Sequence, residues 1–180
     1  MITTLTCPIP DTVNPLSPTG FQFSIRKLPE LTYFAQQVNL PGLTLGMPEQ
    51  NTPFSVAPIP GEMLTYDALT VQFMVDESMR NYKAIHNWLV GLGFPEDNEQ
   101  YKDIISAQSD PLTSSSETMK NYSDATLEIL GSNNTSIQTI QFVDLFPISL
   151  DSLIFQSNDS DVTYIIGNAN FRYSYYKFLN

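Results

Sequence analysis

Cations are scarce in this sequence: 8 Lys and Arg stand against 19 Asp and Glu among 180 residues, a formal net charge of -11. Surfaces that grip phosphate backbones depend on Lys and Arg displacing counterions, so a pI near 4.2 argues against nucleic-acid binding of that kind. It is compatible with DNA passing close by without adhering. Cysteine occurs once, at Cys7, which rules out an internal disulfide. Leu5-Thr6-Cys7 faintly resembles a lipidation site, but the apolar segment that must precede one is missing. Long apolar runs are missing too. No stretch approaches the ~20 residues that span a bilayer, and residues 1–10 carry neither a positive charge nor the apolar run of a secretory leader. The expectation is a chain made and used in a cytoplasm, with no membrane partner.

Groups for catalysis are equally sparse. No Gly-rich phosphate loop, zinc spacing or nucleophile elbow is present. His86, the one histidine, falls on the apolar side of a predicted helix, where a packed or partly exposed imidazole is the simple reading. Cys7 has no sequence-defined partner for a nucleophile pair. Glu96, Asp97, Glu99 and Asp103 form an acidic cluster without the Asp/Asn-Gly-Glu register of a calcium loop, and read as a solvated surface. Asn-x-Ser/Thr sequons at Asn121, Asn133, Asn134 and Asn158 carry meaning only in a secreted protein. The sequence therefore predicts a protein that is not an enzyme and takes no cofactor or metal.

A composition 42% hydrophobic and 12% aromatic supplies one sizeable core, and 180 residues is the size of one domain. Pro8, Pro10, Pro15 and Pro18 make residues 1–20 an extended arm, because each removes a donor and fixes φ. Beyond it, Phe21, Phe23 and Ile25 alternate with Gln22, Ser24 and Arg26, the pattern of a strand with one buried face. Residues 31–38 read as its hairpin partner. Residues 41–66 are punctuated by Pro41-Gly42, Pro48, Pro53, Pro58 and Pro60-Gly61, and are too long for an ordinary loop. Their apolar members Leu43, Leu45, Met47, Phe54, Val56 and Ile59 are too many for a free linker and imply a partner surface.

Leu69, Val71, Phe73 and Val75 give the clearest strand, and Asp76 stands at a natural N-cap position before a helix reaching about residue 90. Met79, Tyr82, Ile85, His86, Trp88, Leu89 and Leu92 recur at spacings of three and four, and Gly91 and Gly93 can end the helix in the left-handed conformation. Phe73, Tyr82, Ile85, Trp88 and Leu89 are thus the expected helix–sheet core. Residues 95–121, with a Ser/Thr-rich stretch at 113–117, read as a mobile loop. A hairpin follows, Ala125, Leu127 and Ile129 going out, the cluster Gly131-Ser132-Asn133-Asn134 turning, and residues 137–143 returning. A short strand at Leu153 and Phe155 and one long final strand over residues 162–178 complete the pattern, with Ala169, Phe171, Tyr173 and Tyr175 on one face. The fold class is α+β, mainly β: antiparallel sheets forming a small barrel or sandwich, flanked by one amphipathic helix.

Several unrelated families share that outline, and particular residues narrow it. Tyr66-Asp67-Ala68-Leu69-Thr70-Val71-Gln72-Phe73-Met74-Val75-Asp76-Glu77, followed by Tyr82 and Trp88, resembles the D-x-L-x-V-x-F-x-V-D/N-E … W segment of the tail-tube proteins of large contractile phages. Phe146-Pro147 with Leu150, Leu153 and Phe155, then Ala169-Asn170-Phe171-Arg172-Tyr173, resemble the same family's ending. These segments run in the family's order from Tyr66 to Tyr173. The resemblance is nearest to the tail-completion or terminator members; the main tube subunit and the baseplate tube initiators share the module.

The resemblance implies a virion protein, assembled in the host cytoplasm, whose copies form a hexameric ring around a channel for DNA. Its implied partners are itself, tail tube, sheath and neck proteins. Physics gives a separate reason to expect assembly, since cyclic symmetry seals strand edges without open-ended growth. Under this reading Gln22, Ser24, Gln72, Thr126 and Glu128 are candidate channel-lining positions, although alternation alone does not separate a channel wall from an outer surface. The arm at residues 41–66, Pro41 included, is the candidate contact between subunits or rings. From a different class, a monomeric sugar- or peptide-binding β-domain would use Tyr173, Tyr175 and Tyr176.

Overall fold

The computed structural model describes residues 15–51, 54–93, 102, 121–157 and 164–179. The elements in chain order are β1 (Phe21–Ile25), α1 (Pro29–Phe34), β2 (Ala35–Val38), β3 (Leu43–Leu45), β4 (Glu49–Asn51), β5 (Val56–Pro58), β6 (Leu64–Tyr66), β7 (Leu69–Met74), α2 (Arg80–Gly93), β8 (Ser123–Leu130), β9 (Ser136–Leu150), β10 (Ile166–Arg172) and β11 (Tyr175–Leu179). Seven strands form one antiparallel sheet in the order β1-β8-β9-β10-β7-β2, with β11 pairing β9 beside that path. The sheet is open among the described residues. The molecule is mainly β, as the alternation requires, without a closed barrel, and among the described residues β1, β2 and β11 each pair on one side only.

β9 is the spine. Residues near its start pair with β8 and β11, and its last residues pair with β10, so a single strand belongs to both halves of the sheet. The halves bend apart at Asp144, a non-glycine residue at φ 56. The Asp144 side chain accepts from the Ser174 hydroxyl at 3.1 Å, its N–H donates to the Asp124 carboxylate at 3.4 Å, and Ser174 N–H donates to the Val143 carbonyl at 2.9 Å. The strand predicted over residues 162–178 is broken at this same corner into β10 and β11. Tyr173, just before the break, is buried, whereas Tyr175 beyond it is exposed, so the four residues expected on one face do not share it. Pro147 sits within β9 because that end of the strand is an edge, and a register shift between Asn170 and Phe171 accommodates it.

One core lies between the halves. Phe23 and Ile25 from β1, Val71 and Phe73 from β7, Leu127 from β8, Ile140 and Phe142 from β9, and Ala169 and Phe171 from β10 meet there. From α2, Ile85 and Trp88 enter this core; Tyr82 and Leu89 pack at its margin, half-buried. Gly167 is tight against it, since a Cβ there would lie 2.9 Å from Cζ of Phe73.

Several local expectations are corrected. Residues 31–38 are not a hairpin partner of β1. Pro29, with its fixed φ, opens the short helix α1, which carries buried Leu31, and only residues 35–38 are extended, pairing with β7 rather than β1. The true partner of β1 is β8, from the far end of the chain. Asp76 does not cap α2. Its carboxylate meets the Ser78 hydroxyl and its carbonyl accepts from Met79 N–H, and the helix begins only after left-handed Met79. The buried side chain of Asn81 organises this turn, donating to the Met74 carbonyl at 2.7 Å while its oxygen accepts from Tyr82 N–H at 2.8 Å. Gly91 lies buried inside α2, and no described glycine has a positive φ, so neither Gly91 nor Gly93 gives the left-handed stop. Leu153 and Phe155 form no strand, and Phe155 is exposed. The Pro-rich start up to residue 14, most of the loop at 95–121 with Glu96, Asp97, Glu99 and Asp103, and Cys7 and Asn158 lie outside the described residues.

Candidate assembly interface

The described residues of the excursion, 41–51 and 54–66, form a ribbon of two short ladders. Thr44 opposes Thr65 and Leu45 opposes Leu64 in a first ladder; Glu49 opposes Pro58 and Asn51 opposes Val56 in a second. Between them Gly46 N–H donates to Met63 carbonyl, Gly61 N–H to Gly46 carbonyl, each at 2.8 Å, and Ile59 N–H to Pro48 carbonyl at 3.0 Å. Gly61 is required at this joint, because a Cβ there would fall onto the Gly46 carbonyl oxygen. The prolines explain the break between ladders, since Pro48 and Pro60 offer no N–H to continue either one.

Directly opposed residues of an antiparallel pair share a face, so Leu43, Leu45, Leu64 and Tyr66 form one stripe along the first ladder. Leu43, Leu45 and Leu64 are about half exposed, Met47, Val56 and Ile59 are exposed further along, Met63 is 75% exposed and Phe54 is 99% exposed. A two-stranded ribbon is marginal by itself in water, and this one turns its apolar side chains outward. Of the predicted arm residues Pro41 alone is buried, at the root. Met63 and Leu64 are contact candidates that the sequence reading missed; for Leu64 the legible signal was apolar Leu45, which opposes it across the ladder.

The five candidate channel positions lie on faces turned from the core. Gln22 pairs with Glu128 and Ser24 with Thr126, so these four form one patch, next to Thr139 and Gln141 of β9. Gln72 is elsewhere. It opposes Gln37 and Asn168 in the other half of the sheet and lines a shallow hollow with Asn39, Thr70, Asp151 and Asn170. Thr70 donates to Asn170 at 2.7 Å, and Asn170 donates to the Ser149 hydroxyl at 2.9 Å, which ties β7, β10 and β9 together through side chains.

Catalytic chemistry finds no constellation in the described part. His86 is exposed on α2, and among the described residues no group of three His, Cys, Asp or Glu is placed to hold a metal. No described helix is long and apolar enough to cross a membrane. Among the described residues two groups have displaced pKa values, both through packing. Burial pushes Tyr173 up to about 12, with Tyr176, Asp67 and Tyr66 adding to the shift and Arg172 opposing it. Burial lowers Lys27 to about 8, and its ammonium lies 4.7 Å from the centroid of Trp88. Between about pH 8 and 10.5 the unfolded chain holds the Lys27 proton that the folded chain sheds, so stability should rise with pH across that window. Urea midpoints at pH 7, 8, 9 and 10 should climb in the wild type and climb less in Lys27→Met; parallel pH profiles would exclude this burial of the ammonium.

The family model for phage tail tube proteins matches residues 4–179. The chain belongs to the phage tail tube protein family. The fold of this tail tube family member is similar to several solved structures. A chain of the anti-feeding prophage tube-terminating cap matches with TM-score 0.57 and 13% identity, over 98% of this chain and 98% of that one. A chain of the sheath/tube terminator of an extracellular contractile injection system matches with TM-score 0.56 and 17% identity, over 93% and 98%. A chain of the anti-feeding prophage baseplate matches with TM-score 0.58 and 12% identity, over 93% and 97%. No curated protein matches the sequence. On this chain the one-sided strands and the ribbon are the candidate contact surfaces.

Proposed function

We propose that this protein is a non-enzymatic structural subunit of a contractile phage tail, closing as a hexameric ring that terminates the tail tube, joins it to the neck and leaves a channel for DNA. The observation that carries this reading is the contrast between a well-packed core and an outward-turned apolar ribbon beside three one-sided strands. Cyclic association seals strand edges, and the ribbon reaches far enough to cover a neighbour: about 12 residues per leg at about 3.3 Å each gives roughly 40 Å when extended. Likeness to two terminator chains over nearly their whole lengths supports the terminal position. The net charge of -11 suits a conduit that repels DNA from its wall, with Gln22, Ser24, Gln72, Thr126 and Glu128 as the lining candidates.

The runner-up is a main tube subunit or baseplate tube initiator, favoured by the likeness to the baseplate chain. The monomeric sugar- or peptide-binding alternative lacks its platform, because Tyr173 is buried and its hydroxyl already donates to the Asp67 carbonyl at 3.0 Å. Negative-stain imaging and native mass measurement across a concentration series separate the readings. A terminator gives one or two stacked rings and stops. Long tubes would assign the main tube role, and a monomer at all concentrations would overturn assembly altogether.

A further inference from the structure

The ribbon leaves the sheet through two chains, one after β2 and one before β7, and a structure hung on two strands can swing. Asn39 ties the two chains to each other, donating to the Ala68 carbonyl at 3.2 Å and accepting from Thr70 N–H at 2.6 Å; Asp67 N–H donates to the Gly42 carbonyl at 3.2 Å. These bonds hold the roots together but leave their angle to the far half of the sheet unset. The corner at residues 172–176 spans both halves and reaches back to the roots, Arg172 ending β10 in the half that bears the ribbon and Tyr176 lying in β11 of the far half. Arg172 donates to the Tyr66 carbonyl at 2.9 Å, Tyr173 to the Asp67 carbonyl at 3.0 Å and Tyr176 to the Pro41 carbonyl at 3.4 Å. All three acceptors are backbone oxygens of the roots, so the contact fixes the chain path itself.

Aromatic packing backs these bonds. The Tyr66 ring meets Tyr173 and Tyr176 edge-on, each at 5.7 Å, and both of those rings meet Phe142, which is fully buried in β9. The ribbon root is therefore continuous with the core, through side chains far from it in sequence. We propose that Arg172, Tyr173 and Tyr176 form a clamp that sets the angle of the ribbon against the sheet, and that this angle decides whether the ribbon can engage a neighbouring subunit. This rests on the ribbon being an assembly contact. The three are positioning residues; none needs to touch the neighbour.

The test uses the full chain in a Cys7→Ser background with spin labels at Glu62→Cys in the ribbon and Asn87→Cys on α2, compared with and without Arg172→Gln, Tyr173→Phe and Tyr176→Phe together. Phe keeps the ring packing and removes only the donors. Pulsed distance measurement on dilute protein should give a narrow distribution in the parent and one at least about twofold wider in the triple variant, with the core melting cooperatively in both and ring formation needing roughly tenfold more protein. Arg172→Gln alone, at an exposed site, should widen the distribution partway and provides the test if the triple variant does not fold. A distribution as narrow as the parent's overturns the clamp whatever the assembly result, and a widened one with parental ring formation overturns the link from angle to engagement. If the parent never forms rings but the variant's distribution widens, the clamp stands and the ring reading falls.

Discussion

Replacing residues 47–60 by a short Gly-Ser turn is expected to leave a folded monomer that no longer forms rings. The described residues of the removed segment contribute nothing to the core cluster, whose ribbon-side member is Tyr66 at the root, so the thermal transition should stay cooperative and close to that of the wild type. Association should fall steeply. Met47, Phe54, Val56 and Ile59 are all exposed, and full burial of such a side chain contributes about 1.5–3 kcal/mol, so losing four of them corresponds to roughly 1000-fold or more in association constant. Sedimentation velocity across a concentration series reads this directly. Rings forming at wild-type concentrations would remove the ribbon from the assembly contacts.

Trp88→Ala is expected to cost about 3–5 kcal/mol of folding stability, the range for removing a buried tryptophan or phenylalanine. Trp88 is 3% exposed, packs 6.4 Å from the Phe171 ring, donates its indole N–H to the Asn121 carbonyl at 3.2 Å and supports the Lys27 ammonium. Its loss therefore opens a cavity between helix and sheet and leaves the half-buried cation on an empty site. Urea unfolding followed by circular dichroism suits the measurement, because this is the chain's one tryptophan and the variant has no indole fluorescence. A cost under about 1 kcal/mol would contradict a load shared between α2 and the sheet at this position.

Readings that depended on short-range pattern and those that depended on long-range pairing fared differently. The alternation of Leu69, Val71 and Phe73, the apolar face of α2 at Tyr82, Ile85, Trp88 and Leu89 and the turn at residues 131–134 are local and appear where their period puts them, although Met79 lies outside the helix and His86 is exposed; the turn closes with Asn134 at φ 56 and its N–H bonded to Gly131 carbonyl at 2.9 Å. The partner of β1 was not legible, because hydrophobic alternation says which face is buried and nothing about which strand lies alongside. The single long final strand was read from continuous alternation over a stretch that in fact turns a corner. Asp144 of the neighbouring strand lies at that corner and is bonded to Ser174 there, and no residue between Ile166 and Leu179 announces the break by type. Asp76 was a sound cap by composition, yet its carboxylate bonds to Ser78 and the buried Asn81 side chain bonds to the Asp76 N–H and the Met74 carbonyl instead.

The candidate contact surface divides in the same way. Apolar residues between prolines in an overlong connection already pointed to a partner, because a free linker gains nothing from them. What composition left open was their form. Two short ladders in series, joined where Gly61 passes Gly46, turn a string of exposed side chains into a ribbon with a stripe on one face. The tyrosines near the C-terminus looked like a binding platform as a sequence cluster, and only their packing against the ribbon root shows that Tyr173 and Tyr176 face inward.

By itself, then, the amino-acid order determined a mainly β chain with one long amphipathic helix, an excess of acidic charge and an overlong excursion rich in apolar residues. Periodicity and composition act over a few residues and are written directly in the order. Folding in three dimensions decided which strands became neighbours, where the sheet bent, and that side chains near residue 175 hold the root of a ribbon begun near residue 41. Those outcomes come from the competition of many distant surfaces for the same core, and their energies exist only once the chain has closed upon itself.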